Sequence, residues 1–291
     1  MIEKRLSINA RKTDQFLKTY LKNQKKTPLL RAMKYGVLSG GKKVRSSIIL
    51  NTGKLFDLSE KKLINICGAV ESIHSYSLIH DDLPCMDDDN IRRGKSSTHI
   101  KFGEATAILA GNSLLTLAFE MIADNNYSIF KKYKVELIKS LSSFSGHTGI
   151  AGGQELDLSF ENKKTTYKQI IDMQRKKTGK LFNFCCVSAA IIANRSKKEK
   201  KEIGMLGEDI GLLFQLIDDF LDIYSSKKLL GKQNKKDKKK GKSTLLSLFG
   251  IKKTQKYTEN LKKKILRKLL KHGKKAEDLK NTIEFIYTRR Y

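Results

Sequence analysis

Apolar positions recur at helical spacing along most of the chain. Leu6, Phe16, Leu17, Tyr20 and Leu21 share one side of a first helix over residues 6–21. A second helix covers about 29–38 and stops at Ser39-Gly40-Gly41, a strong breaker. The pattern resumes at Val44 and again near Ser59, running through Ile66, Ala69, Val70 and Ile73 to about Asp82. Pro84 has no N–H to donate and is expected to end or kink that helix. The polar stretch 87–98 reads as a loop. Further helices fit 104–124, 128–151, 167–194 and 197–224, the last opened by Ser196 and Glu199 as a capping box. The lysine-rich stretch 225–243 reads as a mobile loop, and helices over 254–271 and 276–288 close the chain. With apolar positions filled mostly by Leu, Ile and Ala, and with only two prolines, the expectation is an all-α protein. No linker divides it, so one domain spans 1–291.

Composition changes this picture little. The formal net charge of +29 suits a polyanionic partner. The excess is mostly lysine spread along the chain with few interleaved aromatics, beside abundant Asn and Ile, and reads as compositional drift. No nucleic-acid partner is expected. Cys67, Cys85, Cys185 and Cys186 lack zinc-ligand spacing and fit a reducing compartment. No apolar run approaches the ~18 residues of a bilayer span, and Met1-Ile2-Glu3-Lys4-Arg5 lacks the apolar stretch of a secretory signal. The expected location is cytoplasmic.

Two acidic clusters carry the chemistry. Asp81-Asp82-Leu83-Pro84-Cys85-Met86-Asp87-Asp88-Asp89 follows a long apolar helix, and Gln215-Leu216-Ile217-Asp218-Asp219-Phe220-Leu221-Asp222 lies inside another. Asp218 and Asp222 are spaced i and i+4, so both carboxylates leave one helix face. Aspartates this close repel unless a cation sits between them. Hard oxygen donors without His or Cys suit magnesium, which takes one or two carboxylates plus substrate phosphates. Basic segments accompany both clusters: Arg92-Arg93-Gly94 after the first, Gly231-Lys232 and Gly241-Lys242-Ser243-Thr244 after the second. Earlier, Gly40-Gly41-Lys42-Lys43-Val44-Arg45 sets cations beside a glycine turn. Glycine lets backbone N–H groups approach phosphate oxygens, and arginine offers a planar pair of donors.

Together with Glu71 to Asp87, Gly152-Gly153-Gln154, Lys177-Thr178-Gly179 and Phe214 to Asp219, in this order, these segments resemble the trans-isoprenyl diphosphate synthases. The resemblance is specifically to the short-chain bacterial farnesyl/geranyl type, whose first aspartate motif is enlarged by two residues, here around Leu83-Pro84. It implies a single-domain bundle of mostly antiparallel helices around a deep central cavity, usually a homodimer. By resemblance Asp81, Asp87 and Asp218 are the main magnesium ligands, two to three ions per site, with Asp82 and Asp222 supporting. Arg92, Lys177 and Lys232 hold the allylic diphosphate, with Lys242 nearby. Lys42, Arg45, His74 and Arg93 hold isopentenyl diphosphate. Thr178 and Gln215 line the region where positive charge develops. The implied reaction condenses dimethylallyl or geranyl diphosphate with isopentenyl diphosphate by ionisation, condensation and elimination, giving farnesyl diphosphate.

Two departures from the family pattern stand out: Ser46, where proline is common, and the lysine-crowded stretch 233–240, which keeps one acid, Asp237. His80 reads as a core histidine, and Gln154, Glu155 and Asp157 as a structural hydrogen-bond group. A bulky Tyr76, five residues before Asp81 and about one helical turn deeper, is a candidate floor for the growing chain. Readings that remain open are a geranylgeranyl or longer-chain synthase, a non-catalytic regulatory subunit, and, from charge alone, a nucleic-acid binder.

Overall fold

The computed structural model describes residues 2–127, 129–230 and 243–289, with side chains described except at 224–230. Lys232, Lys242 and Asp237 therefore lie outside the described residues. Among the described residues the protein is all-α apart from one hairpin of two-residue strands, and it divides into two compact units, Met1–Lys139 with Ser188–Arg195 and Ser140–Val187 with Ser196–Tyr291.

The first unit opens with α1 (Ile2–Lys22), which buries Leu6, Ala10, Thr13, Leu17 and Leu21 along one stripe. In α2 (Pro28–Val37) the Thr27 hydroxyl accepts the Leu30 N–H, and Pro28 fills the first helical position, where no N–H is needed. Gly40 and Gly41, at φ 88 and 101, turn the chain into α3 (Val44–Leu55). Next comes α4 (Ile64–Asp81), buried along most of its length. The stretch read as a loop contains the antiparallel pair β1 (Ile91–Arg92) and β2 (Lys95–Ser96). After α5 (Thr98–Phe102), α6 (Glu104–Ala123) packs along α4, and α7 (Lys131–Ser145) follows. Among the described helices, α6 is long and apolar enough to cross a bilayer by length and composition, which the sequence reading did not expect. Ala107, Ala110, Gly111, Leu114, Leu117 and Ala118 are buried within the fold. Its hydropathy reflects helix packing.

Ser46 repays its departure from the family pattern. Its N–H and hydroxyl both donate to Glu71 Oε1, at 3.3 and 2.8 Å, within the buried contact of α3 with α4. A proline would supply neither donor. Lys43, buried at φ 44, approaches the same carboxylate and donates to the Val37 carbonyl, so it braces the glycine turn.

The second unit contains α8 (Ile150–Ser159), α9 (Tyr167–Gln174), a π-helical turn (Arg175–Gly179), the start of α10 (Lys180–Ile192), then α11 (Lys197–Leu230), α12 (Leu245–Leu269) and α13 (Glu277–Thr288). The helix expected over 128–151 is broken by the turn Gly146-His147-Thr148-Gly149, and the one over 167–194 is widened at 175–179. Capping boxes start α9 at Thr166, α11 at Ser196 and α12 at Thr244. The expected loop over 225–243 is corrected at its start: α11 runs to Leu230, because no glycine or proline lies between Gly211 and Gly231.

Candidate active site

In the first unit, α4 ends at Asp81 with Asp82 as its C-cap, two residues ahead of Pro84, which cannot continue the helix. The chain then folds back: Asp87 N–H donates to the Asp81 carbonyl at 2.8 Å, and Asp89 N–H to the Asp82 carbonyl at 3.2 Å. Leu83, 5% exposed, anchors this turn. The turn through Leu83-Pro84 thus brings the backbones of the half-buried Asp81 and Asp87 together. Asp82 points elsewhere. It is buried, and Arg92 donates to it through Nε at 2.9 Å and through Nη2. Burial raises its carboxyl above the usual range, and the hydrogen bond from Arg92 opposes that. Arg92 also reaches Asp89 at 3.1 Å. Arg92, expected on a diphosphate, is held here by two acids of the motif.

Arg93 turns to the glycine turn instead. Its Nη1 donates to the Gly40 carbonyl and to Ser39 Oγ, and its guanidinium lies where a side chain on Gly41 would stand. Lys42 is exposed and Arg45 half-buried nearby in sequence. His74 on α4 is pushed well below the usual histidine range, first by burial and then by Arg45, Arg93, Lys43 and Arg92. Four cations thus act on one neutral imidazole, an arrangement that an anion would relieve.

The sign of the resulting pH effect follows. Below about pH 6.5 the unfolded chain protonates this histidine while the folded site resists, so stability falls as the pH drops, until the folded pKa is reached. His74→Gln is expected to flatten that slope between pH 7.5 and 5.5 in denaturant titrations, and saturating inorganic diphosphate to flatten it in the unmutated protein. An unchanged slope in both would remove His74 from the cationic cluster.

The second unit assembles the other candidates. Thr178, in the π turn, donates to Gln215 Oε1 at 2.9 Å. Gln215 Nε2 donates to Asp219 Oδ1 and Gln174 Nε2 to Asp219 Oδ2, both at 2.9 Å. Asp219 is pushed up to about 7, mainly by burial and further by Asp218 and Asp222, against these two hydrogen bonds. Lys177 pairs with Asp157 of α8. That contact requires Gly153, since a Cβ there would lie 2.1 Å from the Lys177 backbone nitrogen. Asp218 is held by Arg289, which follows α13.

Among the described residues, no three His, Cys, Asp or Glu side chains form a closed metal cage. The donor chemistry nonetheless fits magnesium, which completes its octahedron with water and phosphate oxygens. Asp219 is raised mainly by burial and further by Asp218 and Asp222 on the same helix, and a divalent cation would relax that second contribution.

Three functional candidates escaped the sequence. Asp157, read as structural, holds the predicted Lys177, and its place at i+3 from Gln154 within the Gly152-Gly153-Gln154 motif was a usable signal. Gln154 itself is 6% exposed, and neither amide atom finds a partner among the described residues. Arg289 gave no signal, because a cation in this chain is unremarkable.

The polyprenyl synthetase family model matches residues 26–286. Farnesyl diphosphate synthase of Escherichia coli (strain K12) is 40% identical over 81% of this chain and 79% of that protein. Geranylgeranyl pyrophosphate synthase 4 of Arabidopsis thaliana is 41% identical over 80% and 63%. A crystal structure of a geranyltransferase from Legionella pneumophila superposes with a TM-score of 0.89 at 31% identity, covering 99% of this chain and 97% of that one.

Proposed function

The chain belongs to the polyprenyl synthetase family, whose chemistry is prenyl-chain condensation, and we propose that it makes farnesyl diphosphate from dimethylallyl or geranyl diphosphate and isopentenyl diphosphate. The observation that carries the reading is the cationic cluster around His74, on the same helix that ends in the first acidic motif. Asp81, Asp87 and Asp218 would hold two to three magnesium ions, supported by Asp222. Magnesium bound there supplies positive charge that stabilises a departing diphosphate.

The chain's own residues do the rest. Lys42, Arg45, Arg93 and neutral His74 bind the isopentenyl diphosphate, the arginines through paired donors. Lys177, oriented by Asp157, meets the allylic diphosphate, as Lys232 and Lys242 would from outside the described residues. Thr178 spends its only proton on Gln215, so its lone pairs are what it presents to an allylic cation. Asp82 buttresses Arg92, which keeps the first acidic turn in shape. The expected single domain is part of this reading, supported by one family model running through both units. So is homodimerisation: α6 exposes Ile108 and Leu109 in a stretch without charge from Ala105 to Phe119, a face suited to a second copy of so cationic a chain. Sedimentation of the purified protein measures it.

Product length is the finer point, since relatives named for farnesyl and for geranylgeranyl products are 40% and 41% identical to this chain. Tyr76 is 8% exposed and packs edge-on to His80, with its hydroxyl pushed up to about 12 by burial and by Asp81. Incubation with dimethylallyl and isopentenyl diphosphates is expected to yield C15, and Tyr76→Ala to shift the products to C20 and beyond with catalysis retained. A C20 product from the unmutated protein would establish the longer-chain reading. An unchanged distribution in a folded Tyr76→Ala protein would place the floor elsewhere.

A further inference from the structure

The chain leaves α13 at Arg289, which turns back onto α11. Its Nη2 donates to the Phe214 carbonyl at 2.9 Å and to Asp218 Oδ1, and the guanidinium carbon stands 3.9 Å from the centre of the Phe214 ring. The arginine side chain is 11% exposed and that of Asp218 28%. An arginine suits this seat better than a lysine: the fork serves two acceptors while the weakly hydrated plane stacks on an aromatic face. In a chain so rich in cations, this three-point hold and deep burial separate Arg289 from its neighbours.

Asp218 is also the carboxylate of the second motif that would ligate metal. A guanidinium hydrogen-bonded to one of its oxygens and a divalent ion bound to the other would stand close together with like charge in a partly desolvated place. We propose that Arg289 is the cation Asp218 holds until a divalent metal replaces it, so that metal loading releases the end of α13. The inference rests on the reading of Asp218 as a metal ligand. Linkage makes the effect reciprocal: whatever strengthens the Arg289 contact weakens metal binding, and metal weakens the contact by the same factor. The C-terminal end would thus report metal occupancy before any substrate binds.

The test uses substrate-free protein and two readouts. Calorimetric titration with magnesium chloride is expected to show Arg289→Gln binding Mg2+ about tenfold tighter than the unmutated protein, the loss of one charge-assisted contact. Arg289→Lys, which keeps the charge but not the fork, is expected to fall between them and serves if the glutamine variant does not fold. Hydrogen exchange of amides 285–289 is expected to quicken severalfold when Mg2+ is added to the unmutated protein, and to be fast and Mg2+-independent in Arg289→Gln. Equal or weaker Mg2+ affinity in the variants, or exchange that Mg2+ leaves unchanged or slows, overturns the proposal. Asp218→Asn tells this failure from that of the underlying reading: if its Mg2+ affinity matches the unmutated protein, Asp218 is not a ligand at all.

Discussion

Asp81→Ala is expected to lower turnover by several orders of magnitude, and Asp218→Ala to do the same, with helical circular dichroism unchanged in both. The size follows from what each carboxylate faces. Asp81 and Asp87 are brought together by a turn whose own backbone bonds, such as Asp87 N–H to Asp81 carbonyl at 2.8 Å, do not use the carboxylates. Removing a side chain therefore leaves these backbone bonds in place while deleting a proposed metal ligand. Asp218 lies beside Asp219, already raised to about 7 by its burial and its acidic neighbours, so Asp218→Ala relieves repulsion there while leaving Arg289 without its carboxylate, and the variant is expected to stay helical with some loss of stability. Asp82→Ala behaves differently. Because Asp82 is buried against Arg92, its loss leaves a cation poorly paired and is expected to lower stability as well as rate. Near-normal turnover in folded Asp81→Ala or Asp218→Ala would refute the assignment of both motifs to metal.

The second large effect separates two diphosphate sites. Arg45→Ala is expected to raise the apparent KM for isopentenyl diphosphate about ten- to hundredfold, the worth of a charge-assisted contact of ~1.5–3 kcal/mol. The KM for the allylic substrate should change far less. After burial, Arg45 is the foremost charge holding His74 neutral, so its removal raises the histidine pKa in part, against the burial and the three cations that remain. Equal effects on both substrates would show that the glycine turn does not define a site of its own.

Local patterning made the helices legible, since a buried stripe at i, i+4 and i+7, as in α1, follows from the 3.6-residue repeat alone. Their breaks were harder to see. The turn at Gly146–Gly149 interrupts a continuous-looking pattern, while lysines after Tyr224 suggested a loop over 225–230, where α11 continues. Lysine is a good helix former, so charge there was a poor guide to structure. Motif chemistry was legible wherever it was rare in this composition: aspartate clusters in a chain of +29, and a glycine turn beside cations.

What each motif residue touches was decided by the tertiary structure. The sequence by itself determined an all-α chain and the residue types of a diphosphate-metal site, because periodicity, breakers and acid spacing are properties of neighbours. Only tertiary structure turned Asp82 to Arg92, bound Lys177 to Asp157, used Ser46 to satisfy Glu71, and seated Arg289 on Asp218. Each of these pairs joins residues between 10 and 71 positions apart. No local rule ranks one lysine or arginine above another at such separations. Burial does, because a desolvated carboxylate must find its donors within the fold.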